Sequence, residues 1–171
     1  MRSEVGIIGR EGFIGSSIVL FADSGPFEVV VQIEGRALRI RKEDLQQAMR
    51  QSQPLLAALL RFIHVFCRAS NPNCHCKCPL LAGGTAARWL LMCQDRGDTA
   101  EFTMTHQFLS VMLALQSPGV VEALSVLEDK NIISATKGKV MVHDRPGLEA
   151  IVRGAYGLPE QEYSRLIAPF P

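Results

Sequence analysis

The side chains with the greatest capacity for chemistry in this 171-residue chain are its cysteines. Four of the five lie close together as Cys67, Cys74, Cys76 and Cys78, with His75 among them. Thiolates and an imidazole at that range are soft ligands for zinc or an iron–sulfur cluster. The spacing argues against both. Structural zinc sites use C-x2-C pairs that fold as a knuckle, whereas this run is C-x-C-x-C with no second pair nearby, so no metal is expected. A disulfide framework is disfavoured as well, because the N-terminus lacks the charged region, apolar core and small-residue cleavage site of a secretory signal. Cys93 sits in an apolar helical stretch and reads as a buried small hydrophobe. Catalytic chemistry finds no better footing. His64, His75, His106 and His143 are scattered, none paired with a nucleophile in a recognisable motif. Gly6-Ile-Ile-Gly-Arg-Glu-Gly12 lacks the Gly-Lys-Ser/Thr ending of a phosphate loop and reads as turns between strands. The chain is not expected to be an enzyme, and no cofactor is expected.

A second set of residues carries recognition chemistry instead: Thr105, His106, Gln116, Ser117, Pro118, Val121, Glu122, Ser125, Lys137 and Lys139. Their chemistry is hydrogen bonding and charge directed at phosphates and base edges, and it depends on the elements that present them. Thr105 is placed to cap a short helix whose apolar positions Phe108, Val111, Met112 and Leu115 recur at helical spacing, with Gln107 and Ser110 opposite. Gln116, Ser117 and Pro118 interrupt the run. Pro118 suits the first turn of a second helix with Ser117 as its cap. Val120, Ala123, Leu124 and Leu127 then form the buried stripe, Glu122, Ser125 and Glu128 face outward, and Asn131 ends the helix. Residues 132–136 and 140–143 read as two strands joined across Lys137-Gly138-Lys139, with glycine supplying the positive φ of a tight hairpin. From Phe102 to Asp144 the pattern is a helix-turn-helix with a two-stranded wing and a basic tip, which makes double-stranded DNA the first partner to consider.

At this point the residues resemble a family. Leu127-Glu-Asp-Lys-Asn-Ile-Ile-Ser-Ala135 is similar to the end of the recognition helix and the first wing strand of Crp/Fnr-type bacterial transcription regulators. Ala87-Arg-Trp-Leu-Leu-Met92 is similar to the helix that precedes it in that family, and Asp144-Arg-Pro-Gly-Leu-Glu-Ala-Ile151 to a branch with an extra C-terminal helix pair. Upstream, Glu4-Val-Gly-Ile-Ile-Gly-Arg-Glu-Gly-Phe-Ile-Gly15 resembles the middle of the family's cyclic-nucleotide-binding-like β-roll. Residues 29–33 and 37–40 read as its closing strands, Lys42 to Arg50 as the helix after them, and 54–66 as the start of the dimerisation helix.

The resemblance implies an α+β chain of three parts. Residues 1–53 are the C-terminal part of a β-roll, 54–85 the start of the dimerisation helix and a disrupted connector, and 86–171 a winged helix-turn-helix domain with extra C-terminal helices. It further implies a cytoplasmic, sequence-specific regulator of transcription. A recognition helix at about 117–130 would lie in the major groove and a wing at 137–139 on the backbone, in a homodimer formed through the 54–66 helix. Cyclic-nucleotide binding is not implied. Members with that site carry a Gly-Glu pair and a later arginine pair, whereas here Gly15 is followed by Ser16, and Pro26-Phe27 stand where the arginine is expected.

Charge and composition set bounds. From Ala86 onward there are eight Lys or Arg against ten Asp or Glu, so this part is net −2 although the whole chain is +1. A DNA-binding domain ordinarily gains affinity by neutralising phosphates. Relatives commonly carry arginine where Gln116, Ser117 and Glu122 stand, so either an altered base code or weakened binding is expected. The alternatives are a degenerate family member acting as an interaction module, and then a metal or redox sensor built on the cysteine cluster. The apolar run from Leu55 to Cys67 is broken by Arg61 and His64 and is too short to span a bilayer. Pro72, Pro79 and the Gly83-Gly84 pair are expected to forbid a regular helix through the connector. Codons compatible with Asn71 to Ala86, read one nucleotide later, can spell a run ending Glu-Glu-Arg-Leu, like the family's connecting helix. A pair of compensating frameshifts, in the gene or in its sequencing, would make the cysteine cluster an accident of reading frame.

Overall fold

A computed structural model of the chain describes residues 4–25, 27–69, 82–97, 99–152 and 156–170. The chain divides into two compact units, Met1–Ile7 with Ala69–Leu158, and Ile8–Arg68 with Pro159–Pro171. Pro26 and the segment 70–81, which holds Cys74, His75, Cys76, Cys78, Pro72 and Pro79, lie outside the described residues.

In the first unit, helix α4 (Ala82–Arg96) packs against α6 (Ser117–Glu128) and α7 (Arg145–Val152), and α5 (His106–Met112) packs against α6. Trp89, Leu90 and Leu91 of α4 meet Leu109, Leu113, Val120, Ala123, Leu124, Leu127 and Leu148 in one core. The apolar stripe expected on α6 is the buried one, residue for residue. On α5 the core-facing residues are instead Leu109 and, just past the helix end, Leu113, while Phe108, Val111, Met112 and Leu115 are half-buried. The apolar run there is nearly continuous, so spacing alone does not single out one face.

Three short strands complete the unit: β1 (Glu101–Thr103), β2 (Ile133–Thr136) and β3 (Lys139–Val142), antiparallel in the order β1-β3-β2. The expected two-stranded wing therefore has a third strand. It is only three residues long, and its burial pattern carries too little alternation to announce itself in sequence. The hairpin turn is two residues rather than three. Thr136 pairs with Lys139, and Lys137 (φ 48) and Gly138 (φ 80) both take left-handed backbone, the requirement of a type I′ turn.

Gly83 and Gly84 lie inside a helix, while Pro72 and Pro79, the rest of the expected break, fall outside the described residues. Both glycines lie buried in the first turn of α4, and a Cβ at Gly83 would stand 3.0 Å from Val126 Cγ1. The missing side chain lets α4 approach α6 closely, a packing role that outweighs glycine's poor helix propensity of about 1 kcal/mol. Cys93, 2% exposed, is the small core residue expected, and burial pushes its thiol up to about 12.

The second unit contains α1 (Ser16–Val19), α2 (Lys42–Gln51), α3 (Gln53–Ala69) and α8 (Leu158–Leu166). Phe62 and Val65 of α3 pack with Tyr163 of α8, Phe62 lies 5.0 Å from Phe13 between ring centroids, and the Tyr163 hydroxyl donates to the Glu11 carbonyl at 3.0 Å. The helices expected at 42–50 and 54–66 are present. The strands expected at 29–33 and 37–40 are not. Both segments run without ladder hydrogen bonds, and Val31 and Leu38 stand 81% and 103% exposed. Strand-forming side chains need neighbouring strands to bury one face, and no such neighbours occur among the described residues of this unit.

Candidate nucleic-acid interface

The α5–α6 corner is built by two local devices. The Thr105 hydroxyl accepts from Phe108 N–H at 3.1 Å and starts α5, as its spacing before the apolar run predicts. At the far end, Leu115 N–H donates to the Ser110 carbonyl and Ala114 N–H to Val111, a Schellman arrangement that sets Ala114 in left-handed backbone, φ 53. Four residues separate the helices, and their axes turn by 94°. A short turn and a near-right angle define a helix-turn-helix.

The second helix begins one residue earlier than its composition suggests. Val120 N–H bonds to the Gln116 carbonyl at 3.1 Å, so Gln116 is the cap and Ser117 already lies inside α6. No side chain caps that end, and Pro118 removes one donor, so the remaining first-turn N–H groups are left for an outside acceptor. Asn131 closes the helix as expected. Its φ is 56, Asn131 N–H donates to Glu128 and Ile132 N–H to Leu127.

All ten residues singled out from the sequence are exposed. Ser117, Pro118, Val121, Glu122 and Ser125 follow helical spacing and share the outer face of α6, opposite the buried stripe. Glu128, expected outside with them, is half-buried, and its carboxylate accepts from Ala135 N–H at 2.7 Å, tying the helix to β2. The two wing lysines differ. Lys137 occupies the turn and makes no ion pair among the described residues, whereas Lys139 lies in β3 with its Nζ 2.6 Å from Glu101 Oε1. Glu101 and its strand are the part of this surface that sequence reasoning missed; the alternation of charge between positions 101 and 139 carries no local signal.

Electrostatically the surface is sparse. Helix α6 contains no lysine or arginine. Arg145, the cation that opens α7, is held by Asp95 at 2.8 Å and Glu149 at 3.1 Å, and Tyr156 also donates to Asp95. These groups brace α7 against α4. Among the described residues no cluster of three His, Cys, Asp or Glu side chains is arranged to hold a metal, and no single helix is long and apolar enough to cross a membrane.

Comparison with known proteins agrees with this architecture. Residues 86–151 match the model of the Crp-like helix-turn-helix domain. Among solved structures, FixK2 from Bradyrhizobium japonicum is similar at 16% identity with a TM-score of 0.54, over 66% of this chain and 59% of FixK2. A CRP-family transcriptional regulator from Thermus thermophilus matches at 18% identity and TM-score 0.42, over 67% of this chain and 56% of its own. The catabolite activator protein of the same organism matches at 21% and 0.41, over 67% and 54%. No curated protein matches the sequence. The chain thus spans little more than half the length of these structures, and only the FixK2 likeness is close enough to speak to fold. Together with the 94° corner, the Schellman turn and the hairpin wing, the match makes residues 86–151 similar to the Crp-like helix-turn-helix domain.

Proposed function

We propose that this chain is a DNA-binding regulator of transcription, working in the cytoplasm, with α6 in the major groove and the β2–β3 wing against the phosphate backbone. The observation that carries the reading is the outer face of α6: five side chains at helical spacing, all exposed, on a helix held at 94° to its partner. In this reading Val121, Glu122 and Ser125 face base edges. Gln116, Ser117 and Pro118 bring the uncapped first turn to a phosphate, where free N–H groups and the helix dipole favour an anion. Thr105 and His106, at the start of α5, and Lys137, on the wing, contact the flanking backbone, and Lys139 joins them where its pair with Glu101 opens. A homodimer formed through α3 supplies the two-fold symmetry that such corners use on DNA. The segment 54–66 lies within α3, and Leu60 is 42% exposed there.

The test is titration of the full chain against duplex DNA at several salt concentrations. Binding that weakens steeply with salt and is abolished by Ser117→Asp together with Lys137→Ala supports the proposal; no binding even at the lowest salt sinks it. Light scattering of the same samples reports the dimer.

A second reading is favoured by charge: the part from Ala86 onward is net −2 and α6 lacks any cation. In that case the fold persists as an interaction module without DNA affinity, and a partner-bound or self-associated chain with no salt-dependent duplex binding is the outcome. The metal or redox reading rests on Cys74, Cys76 and Cys78, and metal analysis of protein purified without added zinc or iron tests it.

A further inference from the structure

We propose that Glu122 sets the base preference of this domain by accepting a hydrogen bond from the N4 amino group of a cytosine in the major groove. The inference rests on the DNA-binding reading and names what α6 would recognise. Glu122 lies in the second turn of α6, beside Val121 and one turn before Ser125, on the face that would meet base edges. Its carboxylate makes no hydrogen bond or ion pair among the described residues, unlike the other glutamate of the helix, Glu128, which Ala135 N–H holds. With no lysine or arginine anywhere on α6, nothing on that helix neutralises it.

An exposed carboxylate accepts hydrogen bonds and donates none. Held against phosphate it is repelled, so it is tolerated in a complex only where the groove offers a donor. The major groove has two, adenine N6 and cytosine N4. Adenine sets its N7 acceptor beside N6, so the second carboxylate oxygen meets a lone pair there. Cytosine carries C5–H rather than an acceptor on that side of N4, and the carboxylate placed there fits without that repulsion. Thymine O4 and guanine O6 and N7 are acceptors and are rejected. The same carboxylate lowers affinity for every other sequence, so Glu122 acts as much by exclusion as by attraction.

The experiment is selection by the full chain from a randomised duplex library at low salt, followed by titration of the winning duplex and its single-base variants. Wild type should enrich one position for cytosine and bind the cytosine duplex roughly 5- to 150-fold more tightly than its adenine or thymine variants, the range of a well-placed base contact. Glu122→Gln should move that position to adenine, since an amide pairs with N6 and N7 together, and Glu122→Ala should lose the preference while binding unselected duplex more tightly. Enrichment whose pattern is unchanged in Glu122→Gln overturns the assignment to Glu122 and leaves DNA binding standing. No enrichment by wild type, Glu122→Gln or Glu122→Ala overturns both.

Discussion

Replacing Glu101 by alanine is expected to strengthen duplex binding, although Glu101 itself touches no base and carries the charge that phosphates repel. Its carboxylate holds Lys139 Nζ at 2.6 Å, with both side chains largely open to solvent, so the pair contributes about 0–1 kcal/mol to stability and its loss leaves the fold intact. The β1–β3 pairing at Glu101 and Met141 is made by backbone groups and survives the change. What changes is the state of Lys139, which becomes a second wing cation beside Lys137. Each phosphate neutralised steepens the dependence of log K on log salt by about 0.9. The added contact is then worth up to about eightfold in affinity at roughly 100 mM salt, and about 3.5-fold of that is lost between roughly 50 and 200 mM. The assay is fluorescence anisotropy on a labelled duplex across that salt range, with Lys139→Ala and the Glu101→Ala, Lys139→Ala double variant as controls. Lys139→Ala alone should weaken binding, because it leaves the Glu101 carboxylate uncompensated on the wing, and the double variant should fall back to the wild-type slope. A Glu101→Ala slope equal to wild type, or a gain that persists in the double variant, refutes the reasoning.

Three further outcomes follow from the geometry. Ala114→Gly should stabilise the chain by about 0.5–1 kcal/mol, because left-handed backbone costs an L residue about 1–2 kcal/mol while glycine returns less than that in unfolded-state entropy; a higher urea midpoint with an unchanged m-value checks it. Thr105→Ala should remove the α5 cap and destabilise by about 1 kcal/mol, with Thr105→Ser restoring most of it, both read from thermal melts. Glu4, half-buried near Arg88 and Arg96, is pushed up to about 7 chiefly by burial, against the pull of the two arginines. The folded chain therefore holds a proton that the unfolded chain has released, and stability should fall as pH rises from about 4.5 to about 7, then level off. The full linkage is on the order of 3 kcal/mol, and partial solvation reduces it to about 1–2 kcal/mol. Glu4→Gln should flatten that window in urea titrations at about pH 5 and about pH 8, on either side of the folded-state titration.

The elements most legible in the sequence are those whose residues have one physical job. Thr105 before an apolar run, the 120/123/124/127 stripe, Asn131 after it and Gly138 in a hairpin each combine a propensity with a position, and all sit where their chemistry directs. Those that escape are decided by a partner far along the chain. Gly83 is read from propensity as a helix breaker, yet its role is set by Val126 standing 3.0 Å from where a side chain would be. Lys139 reads as a free wing-tip cation until Glu101, carried in on a three-residue strand, takes it. The valine-rich segment at 29–33 has every local mark of a strand, but a strand is a relation between segments, and the described residues of the unit offer it none. Across the candidate interface, the exposed positions were legible from helical period and the state of the charges was not.

That difference bears on how the domain would bind. In the corner and wing described, the backbone devices that aim a helix are complete, while of the two wing cations only Lys137 is unpaired among the described residues. One or two phosphate contacts per copy give a shallow salt dependence and little non-specific affinity, since each contact adds only about 0.9 to the slope. Recognition would then lean on the hydrogen bonds of α6 and on the first-turn N–H groups, which carry no net charge. Doubling the contacts in a dimer raises the slope in proportion, so the measured exponent reports the number of engaged copies. One corner accounts for a slope of no more than about −2, and a slope between about −2 and −4 requires two. A slope beyond about −6 would require cations that neither the wing nor α6 supplies, and would place the principal DNA contact elsewhere in the chain.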